Sequence, residues 1–150
     1  MPRNRRRGFQ AERELVKKLW DHGFAVIRAP ASGSGARRFF YPDIVAIYHG
    51  KIFVIEVKYR SSNDPIYISK DKIDKLLDFA KRANARVFIA IKIRNRGWYL
   101  APLMEACTAT LQGCKIEINN NSIISLEDFI NRIINDSLDK YISNNALSAG

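Results

Sequence analysis

An α/β domain with a central mixed β-sheet flanked by helices is the fold class this sequence predicts, and three observations predict it. Apolar residues recur at helical spacing in two stretches, residues 8–21 and the segment after Ser69. Two pairs of Val, Ile, Phe and Tyr runs, each pair broken by a turn containing Gly, read as β-hairpins. The elements come in the order helix, strands, helix, strands, which is the order of an α/β domain.

Length and composition set the frame. The chain has 150 residues, enough for one domain with a real core. Hydrophobic residues at 47% and charged residues at 27% fit a soluble globular protein. No apolar run approaches the ~20 residues of a membrane span. The Arg-rich N-terminus is not followed by the apolar core of a signal peptide, so a cytoplasmic, nucleoid-associated protein is expected. Cys107 and Cys114, with six residues including a Gly between them, are therefore read as small core or turn residues rather than a disulfide. No further ligands at suitable spacing give them a metal role.

The net charge of +10 is unevenly spread. Residues 1–100 carry 22 Lys/Arg against 9 Asp/Glu, and residues 101–150 carry 3 against 6. A localised cationic excess of this kind suits a polyanionic partner, nucleic acid first among them. The competing reading, a solvated thermophile-like surface, usually brings balancing Glu, which is absent.

Arg3, Arg5, Arg6 and Arg7 form a basic arm over residues 1–7, suited to salt-sensitive phosphate contacts. Phe9, Leu15, Val16, Leu19 and Trp20 then give the first helix its apolar face, and Gly23 ends it. Glu12, taken alone, is an ordinary helix residue within reach of a lysine one turn on. Residues 24–28 read as a short strand. The loop that follows, rich in Gly and Ser and ending at Arg37 and Arg38, suits gripping a phosphate backbone. It is not a nucleotide-binding P-loop, because no Gly-Lys-Ser/Thr follows it. Phe39, Phe40 and Tyr41 are either core anchors for that loop or stacking surfaces for bases, with core packing favoured.

Residues 44–57 form the central hairpin, broken at His49-Gly50. Both faces of both strands are apolar, which places the hairpin in the middle of a sheet covered on two sides. With His49 and Gly50 as the turn, Tyr48 pairs with Lys51, and counting outward brings Asp43 opposite Glu56. Their Cβ atoms then lie ~5 Å apart on one face. Lys58, two residues past Glu56, shares that face. Like charges directly opposite repel. A divalent cation such as Mg²⁺, which takes oxygen ligands, removes the penalty. The expected site is a metal held by Asp43 and Glu56 beside the Lys58 ammonium, with Glu12 as a further carboxylate if its helix points to the sheet edge.

Beyond the hairpin, Ile66-Tyr67-Ile68 reads as a short strand and Ser69 as the start of a helix. Its stripe is Ile73, Leu76, Leu77 and Ala80, with Phe79 beside it. Residues 86–93 and the run from Trp98 make a second hairpin across Arg94-Asn95-Arg96-Gly97. Met104-Glu105-Ala106 reads as a helical turn and residues 115–118 as a strand. Ser125 opens a last helix with Phe129, Ile130, Ile133 and Ile134 on its apolar side. From about residue 135 the chain reads as a weakly structured tail.

Pro42-Asp43 with Glu56-Val57-Lys58 beginning thirteen positions after Asp43 resembles the PD-(D/E)xK nuclease motif. Over residues 5–130 the chain is similar to the archaeal Holliday junction resolvases. The resemblance runs through Arg6-Arg7-Gly8, Ala11-Glu12-Arg13, Gly23-Phe24-Ala25-Val26, the loop from Arg28 to Ser34, Pro42-Asp43-Ile44, Glu56-Val57-Lys58 and Leu77-Asp78-Phe79-Ala80. It implies a restriction-endonuclease-like fold and a homodimer that makes paired symmetric nicks in opposed strands of four-way junction DNA. It implies Mg²⁺, with Mn²⁺ as a substitute, and a role in recombination and repair. Glu12, Ser32, Asp43, Glu56 and Lys58 take the catalytic positions of the family, with Glu12, Asp43 and Glu56 as metal ligands. Arg13 and Arg28 match basic residues that act on DNA, beside the arginines of the arm and the loop. Phe79 falls in the helix that resembles the family's dimer interface. Lys72 stands where the family often has Gln and receives no role. The resulting division is a nuclease domain over residues 1–135 and a tail over 136–150. Alternatives are another PD-(D/E)xK endonuclease of the repair or restriction type, or a non-catalytic DNA-binding module.

Overall fold

The structure is a computed structural model and describes residues 3–30 and 39–148, with side chains described from Arg5 onward. Along the chain run α1 (Arg3–Asp21), β1 (Ala25–Arg28), β2 (Ile44–Tyr48), β3 (Lys51–Arg60), β4 (Ile66–Ser69) and α2 (Lys70–Ala83). Then follow β5 (Arg86–Ile93), β6 (Gly97–Pro102), α3 (Leu103–Ala106), β7 (Thr108–Thr110), β8 (Gly113–Ile116), β9 (Ile124–Ser125) and α4 (Leu126–Ser148).

Six strands make the main sheet in the order β1-β2-β3-β5-β6-β9. β3 and β5 run parallel and the other neighbours antiparallel, so the sheet is mixed as expected. A parallel pair needs a crossover, and α2 lies in that connection. β3 is the longest strand at ten residues and has a neighbour on each side. The β2–β3 register runs from Ile44↔Ile55 to Tyr48↔Lys51, the pairing that the sequence predicts. His49 and Gly50 both have positive φ, 46° and 83°, which gives the mirror-image turn that matches strand twist.

A separate core covers each face. On one, α1 and α4 pack Leu15, Leu19, Phe129 and Ile130 onto Phe24, Phe53 and Phe88. The Phe129 ring meets Phe88 and Phe53 at centroid distances of 5.0 and 5.2 Å, edge to face. Removing such a ring costs roughly 3–5 kcal/mol. On the other face, Leu76 and Ala80 of α2 pack with Ile66, Ile68, Ile89, Ile91 and Ile116.

A small sheet, β4-β8-β7, fixes the start of α2. Ser69 ends β4 and caps α2, its Oγ accepting from the Lys72 N–H at 3.3 Å. The Lys70 N–H donates to the Gln112 carbonyl at 2.8 Å. Gly113 lies opposite Ser69, where an added Cβ would collide with the Ile68 carbonyl oxygen.

Several expectations are corrected. Cys107 and Cys114 form a disulfide, with Cα atoms 5.6 Å apart. The β7–β8 hairpin, too short to read from sequence, brings them together. Trp20 is 63% exposed rather than on the buried face, because Ala11, Leu15 and Leu19 at i, i+4 spacing already fill it. Phe39 and Tyr41 are exposed, and Phe40 alone of that trio packs on the second core. Arg5, Arg6 and Arg7 lie in the first turns of α1 rather than in a separate arm. The stretch read as a weakly structured tail is helical as far as Ser148, since no Gly or Pro interrupts α4. No helix among the described residues is long and apolar enough to cross a membrane.

Candidate active site

The open end of the β2–β3 hairpin carries the charges. Pro42 cannot donate to a ladder, so β2 begins after it and Asp43 sits at the strand's mouth. The Ala29 N–H donates to the Asp43 carbonyl oxygen at 2.9 Å, and the Val57 N–H donates to Asp43 Oδ2 at 2.9 Å. The backbone of β3 therefore orients this carboxylate, which lies where the register opposes Glu56.

Glu56 is the one buried charged or polar residue among the described residues, at 4% exposure. Its Oε1 lies 3.3 Å from Lys72 Nζ and 3.6 Å from Lys58 Nζ. Its Oε2 is buried with no hydrogen-bond partner. Burial first, and then the Asp43 charge, push the Glu56 carboxyl up to about 7, with Lys72 and Lys58 pulling the other way. Two anionic carboxylates have no proton to share. Oε2 gains a partner when one carboxyl takes up a proton, or when a cation sits between them. The second solution is what a divalent metal provides, and an orphaned carboxylate oxygen beside a second carboxylate fits such an ion.

Glu12, on α1, is held by Arg28 from the end of β1, Nη1 to Oε2 at 3.5 Å. Burial and then the Asp43 charge raise its pKa, while Arg28 lowers it. Glu12 is thus near enough to feel Asp43. Even so, no three His, Cys, Asp or Glu side chains among the described residues cluster as an ion's ligands. Asp43 and Glu56 form the inner pair, and water or substrate oxygens would complete a coordination shell.

The remaining expected residues fall in different places. Arg5, Arg6 and Arg13 are exposed on α1. Arg7 reaches over the Tyr59 ring, 5.9 Å to its centroid, which brings the helix start to the strand that carries Lys58. Arg3 lies in the first turn of α1. Ser32, Arg37 and Arg38 lie outside the described residues. Phe79 is half-buried on α2 and lines an open cleft with Phe39, Phe40 and Tyr41. Lys72 is the residue that sequence reasoning left without a role, although it is nearer to Glu56 than Lys58 is. It lies sixteen positions after Glu56, and only the packing of α2 on the sheet joins them. A lysine in a helix's first turn, against the helix dipole, was the available signal.

A mixed sheet whose central hairpin presents Asp opposite Glu-x-Lys defines a restriction-endonuclease-like nuclease core of the PD-(D/E)xK kind. Residues 3–137 match the family model of archaeal Holliday junction resolvases (Hjc), and the chain belongs to that family. It is 46% identical over 93 residues to a crossover junction endodeoxyribonuclease Hjc of Sulfurisphaera tokodaii, a match covering 62% of this chain and 64% of that one. A Sulfolobus acidocaldarius Hjc is 44% identical over 90 residues, covering 60% and 62%. These matches span just under two thirds of the two relatives' length. The solved structure of Archaeoglobus fulgidus Hjc, described as a Holliday junction resolvase from an archaeal hyperthermophile, aligns with a TM-score of 0.73 at 30% identity. That alignment covers 82% of this chain and 99% of that one.

Proposed function

We propose that this protein is a structure-specific endodeoxyribonuclease that binds four-way DNA junctions and nicks opposed strands by divalent-metal-dependent phosphodiester hydrolysis. The observation that carries this reading is the Asp43–Glu56 pair with its unpartnered buried oxygen beside two ammonium groups. Family membership and the names of the relatives supply the substrate. Mg²⁺ is the natural ion, with Mn²⁺ as a substitute, because the ligands are hard oxygens.

A divalent ion held by these carboxylates would supply an activated water and charge neutralisation at the departing oxygen. Asp43, oriented by the Val57 N–H, and Glu56 would hold the ion. Glu12, near enough on α1 for the Asp43 charge to act on it, would be a further carboxylate toward the ion. Lys58 orients the attacking water or stabilises charge on the phosphorane-like transition state. Ser32 takes a catalytic role by its match to the family's loop serine. Arg3, Arg5, Arg6, Arg7 and Arg13 contact flanking phosphates, joined by Arg37 and Arg38 from the loop. Arg28 holds Glu12 in place. A homodimer paired through the α2 face around Phe79 supplies two sites for two opposed strands. Residues 1–135 form the nuclease unit, in a cytoplasmic, nucleoid-associated setting.

The test is cleavage of a labelled synthetic four-way junction with Mg²⁺, beside a linear duplex and a flap, with the ends mapped. Paired symmetric nicks in the junction alone are expected. Equal cutting of the linear duplex would sink the substrate assignment and favour a repair or restriction type of nuclease.

A further inference from the structure

We infer that Lys72 is a positioning residue for Glu56: its ammonium holds Oε1, leaving Oε2 free to ligate and Lys58 free to serve the reaction. This rests on the metal-dependent cleavage proposed above. Both ammonium groups approach the same oxygen, Lys72 at 3.3 Å and Lys58 at 3.6 Å, while Oε2 has no partner. One carboxylate oxygen is thus doubly supplied and the other is kept empty. A lone lysine would have two duties. It would have to neutralise a buried carboxylate and also reach the water or the phosphate. A buried carboxylate that loses its counter-charge is strongly penalised.

The two lysines differ in how they are delivered. Lys58 shares a strand with Glu56, so its approach follows from the i, i+2 spacing on one face. Lys72 comes from α2, whose first turn is pinned by the Ser69 cap and by the bond from Lys70 to Gln112. The Lys72 ammonium also lies over the Phe40 ring, 5.2 Å from the centroid. Helix stability does not favour a cation here, since the first turn carries the positive end of the dipole. Lys72 is thus anchored at its backbone, with its ammonium over the Phe40 ring and beside one Glu56 oxygen, and the contact with Glu56 is what that arrangement provides.

Two measurements test this. Steady-state junction cleavage compares wild type with Lys72→Met. On the order of a tenfold to hundredfold loss is expected in kcat, with KM and metal-free junction affinity within about twofold. A loss carried in KM or in affinity instead makes Lys72 a phosphate contact and overturns the inference. Thermal unfolding at mildly alkaline pH then compares Lys72→Met, Glu56→Gln and the double variant. Lys72→Met should lower Tm only where Glu56 is present, because neutral Gln needs no counter-charge. Additive shifts overturn the inference. If Lys72→Met does not fold, folding of the double variant gives the coupling directly, and its failure to fold denies it. If the wild type cuts no DNA, the nuclease reading fails, and the unfolding cycle still decides whether Lys72 serves Glu56.

Discussion

Glu14 and Glu56 both meet lysines, and their ionisation moves in opposite directions. On α1, Glu14 Oε1 accepts from Lys92 Nζ at 2.6 Å and from the Trp98 ring N–H at 3.1 Å. Burial works against its charge, yet these two bonds and the lysine charge hold it below the usual carboxylate range. Glu56 has two ammonium groups, but at 3.3 and 3.6 Å, and a carboxylate neighbour besides. It ends up raised to about 7. Proximity to a lysine does not settle the matter. Short directed bonds complete Glu14 at rest, whereas Glu56 is left with an oxygen to fill. The first arrangement ties α1 to β5 and β6. The second leaves a position that a cation can complete.

The widest separation between the two carboxylates should appear in cleavage. Asp43→Asn, Glu56→Gln and Lys58→Ala should each lower metal-dependent junction cutting by about a thousandfold or more while junction binding persists. Glu14→Gln should cut at about the wild-type rate, since it lies outside the Asp43–Glu56 pair. Gel assays of cleavage and binding on the same junction decide it. Full activity in any of the first three variants breaks the assignment.

The next effect lies in stability against pH. The raised Glu56 pKa means that the folded protein holds a proton that the unfolded chain releases near 4.5. Stability from this group is therefore full below about pH 4.5 and is lost as pH rises through 7. A shift from 4.5 to about 7 corresponds to roughly 3 kcal/mol. In urea titrations without metal, Glu56→Gln should be more stable than wild type at pH 8 and should lose that advantage at pH 5. Metal should raise the stability of wild type at pH 8 and not that of Glu56→Gln. A wild type whose stability rises from pH 5 to 8 in parallel with the Gln variant would falsify the strained-carboxylate account.

That half of the comparison was legible in the sequence. Two carboxylates and a lysine stand in an otherwise apolar hairpin, and a two-residue turn fixes their register to Ile44↔Ile55 and beyond. Local periodicity also gave α2, β5 and the cap of α4, because each depends on residues close in sequence. What lay beyond reach depends on packing between distant segments. Glu14, Lys92 and Trp98 join three elements, and the first two lie 78 positions apart in sequence. Lys72 reaches Glu56 through the placement of α2 on the sheet. Cys107 and Cys114 meet through two strands of three and four residues, below the length at which alternation can be read. The helical course of residues 136–148 escaped for another reason. Its polar composition reads as tail, while the absence of any breaker lets α4 continue.

Glu14 provides the smaller stability test. Glu14→Ala leaves the Trp98 N–H, in a residue only 6% exposed, without its acceptor and Lys92 without its partner. About 1–2 kcal/mol of destabilisation is expected at neutral pH. The loss should shrink as pH falls below the carboxylate range, because the lowered Glu14 pKa makes its contribution one of the ionised form. A denaturation midpoint unchanged at pH 7 would make the Glu14 bonds incidental, and the contrast with Glu56 would lose its structural pole.

The same distinction between completed and open groups extends to the cations, where the expected effect is smallest. Lys92 is bonded to Glu14 and Arg28 to Glu12, so each of these cations has a partner inside the fold. Arg6 and Arg13 are exposed on α1 and are not among the described ion pairs. If these two meet phosphates, each neutralised phosphate adds about 0.9 to the salt dependence of binding, log affinity against log salt. Arg6→Ala and Arg13→Ala should each flatten that slope by about one and weaken binding alike on junctions of different sequence. Lys92→Met should leave the slope unchanged even where it costs stability. Fluorescence anisotropy of a labelled junction across a salt series measures all three. Equal flattening by Lys92→Met would mean that the Lys92 charge reaches DNA despite its bond to Glu14, and that a completed ion pair does not withdraw a cation from binding.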